Sequence, residues 1–183
     1  MEESPGNEIV FSKNVIEFLT VANEYCLFVE KADNYSRDDI INYLLKICPL
    51  IYLKGALLPE SEESEYEIPE RFVAEEHWES IYNALKSKLG KENIYWTLTN
   101  NEAGENVPSM ASIADNLADI YQDLKDFVML YQKGTHASKE NAIAECCMLF
   151  KTHWGSIIVS VHKALHHILY NEVVQDNFYE NEN

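Results

Sequence analysis

The chain has 183 residues and a mass of 21.1 kDa, a size typical of a single domain. Its 14 Lys and Arg residues are outnumbered by 31 Asp and Glu residues, so the formal net charge is −17 at pH 7. A surface this negative repels phosphate backbones and anionic lipids, which argues against nucleic-acid and membrane binding. Hydrophobic residues make up 46% of the chain, which is too much apolar material for a disordered protein.

The first residues and the cysteines indicate how the chain is processed and in which compartment it resides. Residues 1–5 have neither a basic region nor an apolar core, so we expect no signal peptide. The most apolar stretch, residues 40–58, is interrupted by Lys46, Pro49 and Lys54, which argues against a transmembrane helix. The cysteines lack both metal-ligand spacing and the pattern of a disulfide framework. We therefore expect buried thiols and a cytoplasmic protein.

The apolar residues recur with helical periodicity along nearly the whole chain. Five long helices are predicted over residues 12–31, 36–53, 69–89, 109–132 and 138–171. Ser36 is a predicted N-cap, Pro69 suits a first helical position, and Gly90 and Gly134 are predicted helix stops. The second helix is apolar nearly all round and should be buried on most sides, with a kink or break at Pro49.

The segment 93–98 has strand-like composition but no visible partner strand. A lone strand cannot satisfy its backbone, so a short helix or packed loop is predicted there. Gly155 lies within the last predicted helix, where glycine indicates a close helix approach or a bend. The predicted fold is an all-α, up-down bundle of about five long helices plus this short element. Residues 1–8 are predicted to be a flexible acidic tail, residues 9–171 one helical domain, and residues 172–183 a polar tail.

The fourth predicted helix carries Asp115, Asp119, Asp123 and Asp126 within a narrow arc opposite its apolar face. A solvated acidic face is the prediction, and an ion-pairing or docking face is an alternative. A metal site is a weaker one, because bundle metal sites usually combine inward carboxylates with Glu-x-x-His pairs.

His162 and His166 have the i, i+4 spacing that lets two imidazoles reach one metal ion. His77, on another predicted helix, is a candidate third ligand. The alternative is that these are boundary histidines bonded to a carbonyl or carboxylate. Nucleotide-binding and common hydrolase motifs are absent, which favours a non-enzymatic protein with no catalytic residues, metal or cofactor.

Two stretches resemble an uncharacterised bacterial all-helical family labelled only as a domain of unknown function. They are L-A-D-I-Y-Q-D-L-K-D-F at residues 117–127, and H-W-G at residues 153–155 followed by A-L-H at residues 164–166. The resemblance implies a helical fold and supplies no reaction. It implies that some of the matched residues belong together, in a network between helices or on a partner-binding surface. The candidate binding residues are Asp119, Tyr121, Asp123, His153, Trp154 and His166.

Three functions remain open. The leading one is an interaction module for an unidentified protein partner with a basic patch, attracted by the acidic surface. The second is a metal-assisted or acid–base enzyme that uses His77, His162 and His166. The third is a binder of a small apolar ligand beside Pro49, in a pocket lined by Tyr43, Tyr52 and Leu57.

Overall fold

The computed structural model describes residues 9–60, 70–100 and 103–180, and within them it is mostly α-helical. The helices are α1 (Lys13–Val29), α2 (Arg37–Ala56), α3 (Glu75–Leu89), α4 (Ile113–Gln132), α5 (His136–Thr152) and α6 (Trp154–Glu180). The strands are β1 (Ile94–Asn100) and β2 (Asn106–Ser112). The all-α bundle is therefore confirmed, with one small sheet added. Of the helices described here, none has the length and apolar character needed to cross a bilayer.

Helix α4 lies at the centre of the bundle. It packs against α1, α3, α5 and α6, while α2 packs on α1, α5 and α6. Its apolar face is buried, as the periodicity predicts. Tyr25 reaches across from α1, and its buried hydroxyl donates to the Leu117 carbonyl at 2.7 Å. A helix with neighbours on this many sides also has its polar residues covered, and this decides the fate of the aspartates described below.

Several helix ends lie where local sequence signals place them. The Ser36 hydroxyl accepts from the Asp39 backbone N–H at 3.2 Å and caps α2. Gly90 and Gly134 follow α3 and α4 with φ angles of 55° and 91°, which favour glycine. These stops and the cap are confirmed.

The prediction of a short helix or packed loop at residues 93–98 is wrong. Residues 94–100 form β1, which pairs antiparallel with β2, so that Trp96 lies opposite Met110 and Leu98 opposite Pro108. The partner strand was hidden in a polar segment that contains a proline, a residue restricted to sheet edges. For the same reason α4 begins at Ile113 instead of residue 109, with the Ser112 hydroxyl accepting from Asp115 N–H.

Helix α3 begins at Glu75, after the predicted start at residue 69. Asp126 accepts hydrogen bonds from the backbone N–H groups of Phe72 and Val73, at 2.7 and 3.3 Å, and holds that segment outside the helix. Pro69 and the predicted tail at residues 1–8 lie outside the described residues.

The single helix predicted over residues 138–171 is two helices. The chain turns at His153, with φ −136° and ψ −90°, between α5 and α6. A Cβ on Gly155 would lie 2.2 Å from the Phe150 carbonyl oxygen, so the bend needs glycine there. The close helix approach lies instead at Gly55, where a Cβ would meet the Trp154 ring at 2.4 Å. Helix α6 continues past residue 171 to Glu180.

Helix α2 is continuous through Pro49, so of the predicted kink or break, the break is wrong. Proline has no N–H, so it leaves the Leu45 carbonyl without its helical donor. His162 Nε2 lies 3.2 Å from that oxygen and supplies the donor from α6. The bundle thus repairs the defect with a side chain from a neighbouring helix.

Candidate functional site

The aspartates of α4 do not form the solvated face that their spacing predicts. Asp126 is 3% exposed and Asp123 is 8% exposed, so that prediction is wrong for both. They are covered because α5, α6 and the segment before α3 pack over this side of α4. Each of them has a specific partner, as buried charges require.

Asp126 is the most heavily bonded of these carboxylates. Besides the two backbone N–H groups, it accepts from the Arg71 guanidinium at 3.2 Å. Arg71 also contacts Glu145 of α5 at 2.9 Å, so one guanidinium bridges α4 and α5. Lys133 pairs with Glu70 beside them. This cluster anchors the segment leading into α3 on the bundle.

Asp123 and Asp119 bond to groups outside α4. His153 Nδ1 donates to Asp123 Oδ2 at 2.7 Å, and Trp78 Nε1 donates to Asp119 Oδ1 at 3.0 Å. Burial raises the pKa of both carboxyl groups above the usual range, while the His153 and Trp78 contacts oppose that rise. Of the residues that the resemblance grouped, the structure thus joins Asp123 and His153 directly.

Tyr121 belongs to a second polar cluster on α4. Its hydroxyl donates to Glu30 Oε1 at 2.9 Å, and Lys125 donates to the same oxygen at 2.7 Å. His77 Nε2 lies 3.3 Å from the Tyr121 oxygen. Burial and the Glu30 charge raise the pKa of Tyr121 well above its usual range, so the phenol stays protonated. A base poised near neutral pH needs the opposite shift.

Trp154 and His166 lie away from both clusters. The Trp154 ring is fully buried and stacks on Phe18 with centroids 5.9 Å apart. It is a core residue that fixes α6 on α1 and α2. His166 is exposed, and its ring contacts Tyr170 of the same helix.

The three histidines of the enzyme hypothesis do not converge. His77 contacts Tyr121, His162 bonds to the Leu45 carbonyl, and His166 contacts Tyr170. Within the described residues, no three His, Cys, Asp or Glu side chains lie together in a group that could hold a metal ion. The boundary-histidine alternative accounts for His162.

The three residues predicted to line an apolar pocket beside Pro49 have different surroundings. Tyr43 stacks on Phe28 of α1 with centroids 3.7 Å apart, and Tyr52 contacts Phe150 of α5. Leu57 is exposed at the end of α2. Among the described residues, the two tyrosines therefore pack against rings of different helices.

One apolar surface lies on the C-terminal half of α2. The second helix was predicted to be buried on most sides, and this is wrong, because one side of α2 is buried and the opposite side is exposed. We define the α2 apolar face as Leu50, Leu53, Ala56 and Leu57, all of which are exposed. Their spacing places them along one side of the helix, opposite the buried Ile47, Ile51 and Gly55.

A second apolar surface lies between the hairpin and α6. Ile94, Trp96 and Leu98 alternate along β1 and share one sheet face, with each side chain more than half exposed. They face a cavity of about 700 Å³ whose other wall includes Val159 and Lys163 of α6. We define this space as the β1–α6 groove. The alternation of Ile94, Trp96 and Leu98 was the signal in the sequence, but it needed the partner strand to become a sheet face.

Taken together, the fold and its polar clusters define a helical bundle whose buried carboxylates connect its helices, with an exposed apolar face on α2 and an apolar groove between β1 and α6. The sequence profile of the DUF5063 family, a domain of unknown function, matches residues 9–171. The chain belongs to this family.

The crystal structure of protein BF1032 from Bacteroides fragilis, a structural genomics target, has the same fold, with a TM-score of 0.79. It is 38% identical in sequence, and the match covers 88% of this chain and 96% of that one. No curated protein matches the chain.

Proposed function

We propose that this protein is a non-enzymatic interaction module that docks a protein partner on the α2 apolar face. The observation that carries the proposal is the exposure of Leu50, Leu53 and Leu57 on a helix whose opposite side is buried in the bundle. Leu53 is 54% exposed. A contiguous apolar patch on a soluble domain is typical of an interaction site, whereas scattered single leucines are not.

The chemistry of the partner follows from the charge of the chain. Six glutamates lie between residues 60 and 70, directly after Leu57, and the whole chain has a net charge of −17. A partner that has an apolar recess surrounded by Lys and Arg residues complements both features. Such a partner is steered by charge and held by the leucines, so binding should weaken as salt rises.

A binding function also fits the chemistry of the polar clusters. Asp123, Asp126 and Tyr121 are bonded to groups of the bundle itself. Their contacts account for them as structural links between α4 and its neighbours. A cytoplasmic location is part of the proposal, supported by four cysteines that all carry free thiols.

The test compares full-length protein with a Leu53→Ser/Leu57→Ser variant as bait in cell lysate, at low and high salt. Leu27→Ser is the matched control, because Leu27 is also an exposed leucine but lies on α1. We expect a partner that is retained by the wild type and the control and lost by the double variant. The captured partner is then purified and mixed with each protein, and its affinity should fall with salt.

Two results would overturn the proposal. One is an identical set of captured proteins with the double variant. The other is self-association through the same leucines, seen as a concentration-dependent dimer that the double variant abolishes. Exposed leucines contribute little to folding, so the free energy of unfolding of the double variant should lie within about 1 kcal/mol of the wild-type value.

A further inference from the structure

The β1–α6 groove has the features of a small-molecule site, and none of its residues belongs to the α2 apolar face. We propose that it binds a fatty-acid-like amphiphile, with the acyl chain between β1 and α6 and the carboxylate on Lys163. The inference is independent of the proposed function, because it uses a different surface and a different ligand.

The size and walls of the groove suit an acyl chain. Its volume of about 700 Å³ lies within the range of roughly 300–1,000 Å³ that is typical of ligand pockets. Ile94, Trp96 and Leu98 form one wall, and Val159 and Ile168 belong to the other. The wall from Ile94 to Leu98 is about 13 Å long at the rise of a β-strand, and the α6 wall has about the same length at the rise of a helix. An elongated apolar space of this kind favours a chain over a compact ring.

The hairpin is anchored on α4 at its base. Asn93 accepts from the Ala114 backbone N–H at 2.8 Å, and Tyr95 accepts from Asn116 at 2.6 Å. Both bonds hold the start of β1 on α4. Further along β1, the side chain of Trp96 is 71% exposed beside the groove. Covering this ring would remove a large apolar area from water, which favours an apolar occupant.

The charge of the groove selects an anionic end group. Glu92, the carboxylate in the lining, is already bonded by the Arg37 guanidinium. Lys163 lines the groove and has no ion pair with the described residues, whereas Lys54, Lys125 and Lys151 are each paired with a glutamate. In a protein with this many acidic residues, a cation beside an apolar space favours a ligand that brings one negative charge. A carboxylate at the end of an acyl chain meets both requirements.

The experiment titrates the full-length protein with dodecanoate below its micelle concentration and follows tryptophan emission. Trp96 is exposed, so binding should shift the emission to shorter wavelength, while the fully buried Trp154 should not respond. A Trp96→Phe variant should lose most of the shift and still show binding by calorimetry. This result would assign the signal to the groove.

Lys163→Gln tests the assignment of the carboxylate. We expect it to weaken dodecanoate binding about tenfold, the equivalent of ~1.4 kcal/mol. Lys46→Gln is the matched control, because Lys46 is exposed on α2, outside the groove. The affinity of this variant for dodecanoate should stay within about twofold of the wild-type affinity. Dodecanol, which has the same chain without the charge, should bind the wild type more weakly and should bind Lys163→Gln and the wild type equally.

Several outcomes would overturn the inference. They are the absence of any shift with dodecanoate, equal affinity of Lys163→Gln and the wild type, and equal affinity for dodecanol and dodecanoate. A shift with phosphatidylglycerol vesicles that contain no fatty acid would also overturn it, because the surface would then recognise a membrane. Capture of a protein partner on the α2 apolar face does not change any of these dodecanoate results. Failure of this inference and failure of the proposed function are therefore distinguishable.

Discussion

Helix α4 and the two apolar surfaces invert the usual distribution of side chains. On α4, carboxylates lie inside the bundle, and Asp126 is among its least exposed charged groups. On the C-terminal half of α2 and on β1, leucines and a tryptophan lie in water. The difference is in their partners. The buried aspartates of α4 are bonded to named donors, whereas the exposed apolar groups have no cover among the described residues.

This comparison separates structural groups from groups available for binding. A buried polar residue that is fully bonded stabilises one arrangement of helices, so its chemistry is already used. An exposed apolar patch gains free energy only when something covers it. The aspartates of α4, which were candidates for a functional site in the sequence, therefore have a structural role. The candidate binding surfaces consist mainly of leucines, Trp96 and one lysine.

The largest expected effect is at Asp126. An Asp126→Ala variant leaves two backbone N–H groups without an acceptor and removes one of the two carboxylates that contact Arg71. We therefore expect the free energy of unfolding to fall by about 2–3 kcal/mol. Urea unfolding measures it. Glu79→Ala removes an exposed carboxylate from α3 and should change stability by at most about 0.5 kcal/mol. Equal values for the two variants would break the comparison, because Asp126 would then act as a surface group.

A smaller effect is expected at His162, which bonds to the carbonyl left free by Pro49. His162→Leu should lower the free energy of unfolding by about 1 kcal/mol, the usual contribution of one hydrogen bond. In a Pro49→Ala background the new backbone N–H at position 49 can bond to Leu45, so the same change should cost less. A double-mutant cycle by urea unfolding measures this coupling. Additive effects would show that His162 does not compensate for the proline.

The smallest effect concerns the pH dependence of Asp119. Burial raises its pKa in the folded protein, so the folded state binds a proton more readily than the unfolded chain does. The contribution of Asp119 to stability therefore grows as the pH falls from the raised folded value toward the ordinary value, and it is lost as the pH rises again.

Asp119→Asn keeps an oxygen that accepts from Trp78 and removes this titration. At neutral pH the variant should be as stable as the wild type or slightly more stable. The difference should stay below about 1 kcal/mol because the group is only half-buried, and it should shrink in acid. Thermal melts across the acidic range measure it. A variant that loses stability at neutral pH would show that the charge itself stabilises the fold.

Local signals were sufficient for several helix ends. Ser36, Gly90 and Gly134 each act through backbone groups within a few residues, so their roles follow from neighbouring sequence. The hairpin could not be predicted from local sequence, because strand β1 is recognisable only together with its partner β2. Strand β2 contains Pro108 and few β-branched residues. The break at His153 was missed because the apolar periodicity continues on both sides of it.

The candidate binding residues were predicted with less success. The sequence analysis named Asp123 and His153 as candidate binding residues, and their side chains do form a hydrogen bond. It also predicted that Asp123 faces solvent, whereas Asp123 is buried. The sequence analysis also named Trp154, which is a buried core residue. It did not name Trp96, Leu98 and Lys163, which line the β1–α6 groove. Whether a polar stripe faces water depends on the number of helices packed around it, and no local pattern contains that number.

The amino-acid sequence by itself determined the helical class, the strong negative charge, and the caps and stops that limit several helices, because these depend on periodicity and short-range contacts. Only the tertiary structure decided that α4 is central, that Asp126 holds the segment before α3, and that the leucines of α2 stay exposed. The physical reason is that burial and hydrogen bonding are set by groups far apart along the chain. Asp126 is paired with Phe72, and Leu45 with His162, by the packing of whole helices.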